Sequence, residues 1–221
     1  MTKKWTATNS EGYESPAGFA VDIVVLTVLD SKMHVLVQNG ALPGGFVGPT
    51  ESAEDTVQRK LTEKTGVGKV YFEQLRLYSD PRRDHRGWIP AMAFLALVPA
   101  DVRPADSAAQ WVEVASRPEM AFDHDEMIED AIERLQGKLW WSNVAVGLLP
   151  AEFTMSQARV VYSAIAEKEY DPSTFARDLK KTGLIEPTGN SRSEGRGRPA
   201  AAFRFRSREL SWGAGRRRRV A

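Results

Sequence analysis

The 221-residue sequence contains no cysteine and only three histidines. Without cysteine, neither a disulfide framework nor a thiolate metal site can form. His85 and His124 have no partner at metal-ligand spacing, so we expect both to be hydrogen-bonded surface or helix-cap residues. No Ser-His-Asp or similar nucleophilic arrangement is visible. These absences disfavour metal-thiolate sites and nucleophilic enzymes.

Long apolar segments are also missing. A run of roughly 18 apolar residues, which a membrane helix needs, does not occur, so we expect no membrane contact. The N-terminal residues include lysines but no apolar segment, so we expect no secretory signal and a cytoplasmic location. An apolar share of 42% still permits a sizeable core, in one large or two small domains.

The net charge of +1 conceals two halves of opposite charge. Residues 1–140 contain 15 basic and 21 acidic residues, a balance of −6. Residues 141–221 contain 15 basic and 8 acidic residues, a balance of +7. This asymmetry predicts an acidic partner, most simply nucleic acid, for the second half. On charge alone, a solvated basic surface explains the second half equally well.

The first half has the pattern of a mixed α/β domain. The run Phe19–Leu29 is apolar at nearly every position, which is typical of a strand buried on both faces. One helix is predicted from near Ala53 to Thr65, ended by Gly66. Another begins at Asp123 and ends around residues 138–141. Further strands are predicted at Met33–Gln38, Val70–Tyr78, Trp88–Val98 and Trp111–Val114.

The second half has the pattern of a winged helix-turn-helix. Thr154 and Gln157 form a capping box for one helix, and Asp171 followed by proline opens the next. A brief strand, a loop rich in glycine, serine and arginine, and a strand with one apolar and one basic face follow. These three segments are Leu184–Glu186, Thr188–Pro199 and the residues around Phe203–Arg206.

The most informative stretch is Leu42–Val67, in which glycine, glutamate and arginine recur at fixed spacing. Gly45 is followed by Glu51 and then by Arg59, and the stretch closes with a glycine and a valine. These positions resemble the Nudix hydrolase signature G-x5-E-x7-R-E-U-x-E-E-x-G-U, where U is aliphatic. In that family the resulting loop–helix–loop binds a divalent metal and the pyrophosphate of the substrate.

Two positions that hold glutamate in the signature hold Lys60 and Lys64 here. Together with Glu63 they lie at helical spacing, so their side chains converge on one site. Mg²⁺ prefers oxygen ligands, whereas a lysine ammonium donates hydrogen bonds and does not ligate a cation. The formal charge of the three positions changes from −3 to +1. We therefore expect no catalytic residues, no metal site and no efficient hydrolysis.

Binding without hydrolysis is compatible with the same stretch. Lysine is a point-charge phosphate binder, and glycines allow backbone N–H groups to approach an anion. The alternative is that the charged side chains only join the loop to the helix, with no ligand. The residues that we assign to an effector site in this stretch are Gly44, Gly45, Glu51, Arg59, Lys60, Glu63 and Lys64.

A second charged cluster, Asp80–Gly87, lies between two predicted strands. It contains three arginines, and guanidinium groups there are suited to phosphate or ribose hydroxyls. We add Arg83 and Arg86 to the effector site on this ground. Composition alone favours the simpler interpretation, a solvated loop.

The second helix of the pair is the predicted DNA-recognition element. Phe175 and Leu179 define its buried face by their four-residue spacing. We expect the opposite face to enter the major groove, with Arg177 at a guanine edge and lysines at phosphates. The DNA-binding candidates are Ser173, Thr174, Arg177, Lys180, Lys181, Arg192, Arg196 and Arg198. The alternative is a helical oligomerisation or linker module whose charges are solvated.

The ordered set of motifs resembles one family, the Nudix-related transcriptional regulators (NrtR), over roughly residues 19–205. The stretch Leu42–Val67, which we call the Nudix box, is one part of this resemblance. The other parts are LPGGFV (42–47), SDPRRDHRG (79–87), FDH (122–124), LLPAEFTMSQ (148–157), TGLIEPTG (182–189) and GRGRPAAAFRF (195–205). It implies a homodimeric repressor of NAD biosynthesis or salvage genes that binds a palindromic DNA operator. ADP-ribose or a related nucleotide would be the effector, and no cofactor would be required. Some members of the family regulate sugar use instead.

We therefore expect an α+β protein, with an N-terminal Nudix-like α/β/α sandwich containing a mixed sheet and then a winged helix-turn-helix. The predicted segments are an arm (1–18), an effector-binding domain (19–141), a DNA-binding domain (142–207) and a basic disordered tail (208–221). Two rival functions remain open: an active hydrolase of ADP-ribose-type substrates and a regulator of sugar catabolism.

Overall fold

The structure, a computed structural model, describes residues 6–8, 10–12, 14–16, 18–68, 70–193 and 199–211. The chain forms two compact units, residues 1–26 with 34–131 and residues 27–33 with 132–221. Of the predicted arm, β1 (Thr6–Thr8) and β2 (Glu14–Pro16) form an antiparallel pair. Within the described ranges, no helix is long and apolar enough to cross a membrane. Arg196, Arg198 and the predicted basic tail beyond residue 211 lie outside the described residues.

A six-stranded mixed sheet contains the apolar run of the first half. Its order is β6-β7-β3-β4-β8, with β5 paired antiparallel to the start of β3. β3 and β7 run parallel, while β6–β7 and β4–β8 are antiparallel pairs. β3 is buried at nine consecutive positions, as the uninterrupted apolar pattern predicted. The strands are β3 (Ala20–Leu29), β4 (Lys32–Gln38), β5 (Gly44–Phe46), β6 (Tyr71–Tyr78), β7 (Ala91–Leu97) and β8 (Ala109–Glu113).

Helix α1 (Ala53–Thr65) has the predicted bounds. It begins with a capping box, in which Ser52 Oγ accepts a hydrogen bond from the backbone N–H of Asp55. It ends at Gly66, whose φ of 70° is the left-handed conformation that glycine adopts without strain. Val57 and Leu61 are buried in one core cluster with residues of β3 and β7, so α1 packs on the sheet through this face.

Helix α2 (His124–Lys138) follows a loop. Ile128, Ala131 and Leu135 share one face by their helical spacing and are fully buried, whereas Ile132 is only half-buried. Short 3-10 turns at Val114–Ser116 and Val144–Gly147 precede and follow this helix.

The second unit contains the predicted helix pair and wing. Thr154 and Asp171 cap α3 and α4 as expected, each accepting a hydrogen bond from the backbone N–H three residues later. Phe175 and Leu179 of α4 are buried, so their spacing correctly identified the inner face. The elements are β9 (Phe153–Thr154), α3 (Met155–Ala166), α4 (Pro172–Lys181), β10 (Ile185–Arg192) and β11 (Ala200–Phe205).

The wing differs from the sequence prediction in two respects. The sheet has three strands in the order β10-β11-β9, because Phe153 and Thr154 pair with β11 just before α3 begins. The predicted loop from Thr188 was wrong as far as Arg192, since β10 continues to that residue. Pairing with β11 is irregular between Pro187 and Ser191, where Gly189 has a φ of 82°. Cross-strand pairing therefore overrides the local turn composition.

Candidate functional site

A cavity of about 470 Å³ opens beside the start of β3 in the first unit. This volume lies in the range of small-molecule sites, roughly 300–1,000 Å³. Of the residues assigned to an effector site, Gly44, Gly45, Arg83 and Arg86 line this cavity. The structure therefore brings part of the box glycine loop and part of the arginine cluster to one place.

The two glycines permit close packing at the cavity wall. A Cβ atom on Gly44 would lie 2.5 Å from both Asp22 Oδ1 and Val21 O, a distance that no side chain tolerates. A Cβ atom on Gly45 would lie 3.2 Å from Cε of Lys60. Glycine is thus required at Gly44 for β5 to pair with β3, independently of any ligand.

Arg83 is the centre of a buried ion cluster. Its side chain is only 4% exposed, and Nη2 donates to Asp22 Oδ2 at 3.0 Å and to Asp123 Oδ1 at 2.7 Å. Nε donates to Asp123 Oδ2 and Nη1 to the carbonyl of Ile89. Burial opposes the charged form of Arg83, but its pKa is raised because the two carboxylates outweigh burial. All three guanidinium nitrogens are therefore engaged within the protein.

His124 completes this cluster at the first turn of α2. The backbone N–H of Leu42 donates to Nδ1 at 2.9 Å, so in the neutral ring the proton is carried by Nε2. Nε2 lies 3.6 Å from Asp22 Oδ2. The expected hydrogen bond of His124 is confirmed, but its partner is Leu42 rather than the backbone of α2, and the imidazole is buried rather than on the surface.

Arg86 is the accessible cation of the cavity wall. Its guanidinium pairs with the buried carboxylate of Asp84, through Nη2–Oδ2 at 2.6 Å and Nε–Oδ1 at 2.9 Å. This hydrogen bonding raises the pKa of Arg86. The guanidinium carbon also lies 5.7 Å from the ring centroids of Phe46 and Phe122, so Arg86 is held by both charge and aromatic contacts.

The remaining candidates on and before α1 are all in ion pairs. Arg59 donates two hydrogen bonds of 2.8 Å to the Glu51 carboxylate and a longer one to Glu63. Nζ of Lys60 lies 3.0 Å from Glu63, and Nζ of Lys64 lies 2.7 Å from Asp106. The paired guanidinium of Arg59 lowers the pKa of Glu51 from 4.5 to about 2. The Glu51–Arg59 pair joins the preceding loop to α1, the Lys60–Glu63 pair lies within the helix, and the Lys64–Asp106 pair joins the helix to the segment before β8.

A divalent-metal site needs several oxygen ligands that converge on one point. Throughout the described part of the chain, no group of three or more His, Cys, Asp or Glu side chains is placed to hold a metal ion. Glu51 and Glu63, the carboxylates left in the box, instead accept hydrogen bonds from Arg59 and Lys60. In the described structure, both of these carboxylates are therefore engaged by basic side chains.

Sequence reasoning did not assign several of the residues that shape the cavity. Asp22 lies inside an apolar run and Asp123 at a helix start, so neither is linked to Arg83 by local spacing. Phe46 and Phe122 also line the cavity, although their motifs, LPGGFV and FDH, contributed only to the family resemblance. A lone aspartate at position 22 within a buried strand was the one available signal, because a buried charge requires a partner.

Helix α4 presents the predicted DNA-binding residues on its outer face. Ser173, Thr174, Arg177, Lys180 and Lys181 are all exposed. Nε of Arg177 pairs with Asp178 Oδ1 at 2.9 Å, and Nζ of Lys180 lies 5.3 Å from the ring centroid of Phe203. The backbone N–H of Thr174 is used by the Asp171 cap, which also lowers the pKa of that carboxyl.

The predicted wing arginines are only partly described. Arg192 is exposed near the end of β10, and its guanidinium donates to the carbonyl of Glu152. Arg204 on β11 and Arg206 just after it pair with the Glu186 carboxylate at 2.8 and 3.2 Å. The wing therefore carries its cations on an outward face, with one carboxylate between two of them.

Both units match known protein families. The NUDIX domain family matches residues 18–131, and the NrtR DNA-binding winged helix domain family matches residues 145–205. The crystal structure of Shewanella oneidensis NrtR complexed with a 27mer DNA has a TM-score of 0.74 and 33% identity, over 85% of this chain and 93% of that chain.

Two curated proteins give further similarity. The ADPR responsive transcriptional repressor NtrR of Acinetobacter baylyi is 29% identical, over 87% of this chain and 83% of that protein. The ADP-ribose pyrophosphatase of Methanocaldococcus jannaschii is 37% identical, over 41% of this chain and 55% of that protein. The likeness to the A. baylyi repressor thus extends over most of the chain, and the likeness to the pyrophosphatase covers less than half of it.

Proposed function

Because the chain belongs to the NrtR family of Nudix-related transcriptional regulators, we propose that it is a DNA-binding repressor that senses ADP-ribose. The observation that carries this proposal is the polarised helix α4. Phe175 and Leu179 anchor one face in the core, while Arg177, Lys180 and Lys181 extend from the other. A helix that packs on the core through one face and is basic on the other can be inserted into the major groove of DNA.

The effector side of the proposal is supported by the cavity beside β3. Its volume suits a dinucleotide-sized metabolite, and Arg86 offers a cation at its wall. The repressor of A. baylyi is described as ADPR responsive, and it covers most of this chain. We propose that ADP-ribose occupies this cavity and lowers the affinity of the protein for its operator.

We further propose that the box does not hydrolyse the ligand. Lys60 and Lys64 stand at signature positions for metal-binding glutamates, and Glu51 and Glu63 accept from Arg59 and Lys60. The pyrophosphatase likeness favours the rival, an active hydrolase. Incubation with ADP-ribose and Mg²⁺ or Mn²⁺ separates them: turnover at roughly 1–10³ s⁻¹ would establish the rival.

A mobility-shift experiment tests the central claim. Palindromic DNA from upstream of the NAD biosynthesis or salvage genes is expected to be shifted, and ADP-ribose is expected to release it. The matched control is DNA of the same length and composition with the palindrome scrambled. A protein that shifts neither DNA, or both equally, is not a sequence-specific repressor. Sugar phosphates added in parallel test the sugar-responsive alternative.

The assembly follows from the operator. A two-fold symmetric site presents two equivalent grooves, so we propose a homodimer that places one α4 in each half-site. We also propose that the effector-binding domain comprises residues 19–141 and the DNA-binding domain residues 142–207, in the cytoplasm. Sedimentation of the free protein and limited proteolysis test the dimer and the boundary.

A further inference from the structure

Helix α4 contains one residue that opposes both the stability of the helix and its attraction for DNA. Asp178 is the only acidic residue of α4, and it lies three residues before the last helical residue, Lys181. A carboxylate at this end faces the negative end of the helix dipole, and it also repels the phosphate groups of DNA. A residue that breaks both local rules is a candidate for a functional role.

The Asp178 carboxylate contacts the guanidinium of Arg177. Nε of Arg177 donates to Oδ1 at 2.9 Å, and a longer contact of 3.4 Å joins Nη2 to Oδ2. Among the described residues, the Arg177 side chain hydrogen-bonds to Asp178 alone. Nζ of Lys181 lies 4.0 Å from the same Oδ1. The hydrogen bond from Arg177 lowers the pKa of Asp178, so the carboxylate is ionised at neutral pH.

This contact determines which edge of the guanidinium remains available to a ligand. Nε and Nη2 form the side edge of the group, and Asp178 occupies that edge. The end edge, formed by Nη1 and Nη2, carries two parallel N–H groups that match the O6 and N7 acceptors of guanine. A carboxylate on the side edge fixes the guanidinium plane and directs the end edge away from itself. The Arg177 side chain is 59% exposed, so this edge is accessible.

The same contact makes Arg177 a weaker ligand for phosphate. Phosphate contacts depend mainly on charge and carry no sequence information, whereas a base edge is recognised by the arrangement of its donors and acceptors. Pairing with Asp178 reduces the net charge that Arg177 offers to a phosphate. It leaves the donors of the end edge unchanged.

We propose that Asp178 is a positioning residue, which holds the Arg177 guanidinium for a bidentate contact with one guanine of each half-site. This inference rests on the proposed function, in which α4 enters the major groove. Asp178 thereby lowers the affinity for DNA in general and raises the preference for the operator.

Fluorescence anisotropy of the full-length protein on the palindromic DNA and on its scrambled counterpart tests this role. Asp178→Asn keeps the shape of the side chain and removes its charge, so binding to scrambled DNA should tighten and the affinity ratio should fall. We expect a fall of about 3-fold or more, within the loss of about 5- to 150-fold that Arg177→Ala itself should cause. An unchanged ratio in Asp178→Asn would overturn the proposal.

The matched control is Glu169→Gln. It makes the same charge change in the same unit, at a carboxylate that pairs with Arg159 of α3. The ratio should stay at the parent value. If Glu169→Gln lowers it as much as Asp178→Asn does, the effect belongs to net charge and the positioning role is wrong.

A double-mutant cycle shows whether Asp178 acts through Arg177. In the Arg177→Ala protein, the further change Asp178→Asn should leave the ratio where Arg177→Ala alone put it. An equal fall in both backgrounds would mean that Asp178 acts by itself, for example by accepting from a cytosine amino group, and would overturn the positioning role. All variants should unfold at about the same temperature, because an exposed ion pair contributes little to stability.

Replacement of each guanine of the palindrome by 7-deazaguanine locates the contact, because this base lacks the N7 acceptor. The parent protein should lose affinity at one guanine in each half-site. The loss should be smaller for Asp178→Asn and absent for Arg177→Ala. An equal loss in the parent and in Asp178→Asn would show that Arg177 reads the guanine without help from Asp178.

The outcomes also separate this role from the proposed function. If the parent protein prefers the palindrome and the folded Asp178→Asn protein prefers it equally, the positioning role is wrong and the function stands. If the parent binds both DNAs equally, sequence-specific repression is refuted and the positioning role falls with it. If the ratio falls in Asp178→Asn but ADP-ribose does not release the DNA, the positioning role is supported and the proposed sensing is refuted.

Discussion

Helices α1 and α4 each carry three basic residues, but the two helices use them differently. In α1, Arg59, Lys60 and Lys64 contact Glu51, Glu63 and Asp106. In α4, Asp178 is the only acidic residue in the helix. It lies 2.9 Å from Arg177 and 4.0 Å from Lys181. The side chains of Arg59, Lys60 and Lys64 are 40%, 23% and 16% exposed, whereas those of Arg177 and Lys181 are 59% and 69% exposed.

This difference separates two roles that composition alone does not distinguish. Charges that are paired within a domain hold its parts together and contribute little attraction for a partner. Basic side chains that extend from a helix with few carboxylates create a positive potential, which attracts the phosphate groups of DNA. The basic residues of α1 are therefore matched by carboxylates, whereas those of α4 have one carboxylate, Asp178, near two of them, so α4 keeps an excess of positive charge.

The largest effect is expected for Arg83→Met, which tests the ion pairs within the first unit. The variant leaves the buried Asp22 and the half-buried Asp123 without this cation, so we expect a loss of about 3–5 kcal/mol in the free energy of unfolding. Urea denaturation measures this loss. The neighbour Arg82 is 90% exposed, and Arg82→Met should change stability by less than about 0.5 kcal/mol. Equal effects of the two variants would contradict the buried ion cluster.

The corresponding test for the exposed basic residues of α4 is Arg177→Ala. If Arg177 reads a guanine edge, the variant should lose about 1–3 kcal/mol of discrimination between the palindrome and scrambled DNA. Fluorescence anisotropy on both DNAs measures the ratio. Arg159→Ala on α3, whose guanidinium is directed to Glu169 and the carbonyl of Tyr170, is the matched control. An unchanged ratio in Arg177→Ala would exclude base reading by this residue.

A smaller, uniform effect is expected for Lys180→Ala. A phosphate contact carries no sequence information, so binding to both DNAs should weaken alike. The slope of log affinity against log salt should fall by about 1. Lys168→Ala provides a matched control, because Lys168 also lies over an aromatic ring, that of Tyr170, but is not on α4. A change in sequence preference would instead make Lys180 a base-reading residue.

The smallest effect concerns the Glu51–Arg59 pair. The pKa of Glu51 is lowered in the folded state, so its stabilisation is complete above pH 4.5 and is lost as the pH falls towards about 2. Thermal unfolding of Glu51→Gln should therefore differ from that of the parent near neutral pH and converge with it in acid. Thr56→Val removes only the hydroxyl that donates to Glu51 and should change the curve less. Parallel curves for Glu51→Gln and the parent would contradict the shift.

Local patterns predicted most of the fold correctly. The helix starts at Thr154 and Asp171 and the helix end at Gly66 depend on neighbouring residues, so spacing was sufficient to find them. The third wing strand was missed because Phe153–Thr154 is extended only through its pairing with β11. The same dependence on a distant partner explains why β10 is longer than its turn-like composition predicted.

The sequence by itself determined the family, the two-part organisation and the basic outer face of α4, because periodicity and ordered motifs are properties of neighbouring residues. Only the tertiary structure decided what each charge does. Asp22, Arg83 and Asp123 are separated by dozens of residues yet share one buried cluster. Phe46 and Phe122 likewise meet at one guanidinium. Whether a charged side chain is ion-paired or exposed depends on which groups lie near it in the folded protein, and positions in the sequence do not give those distances.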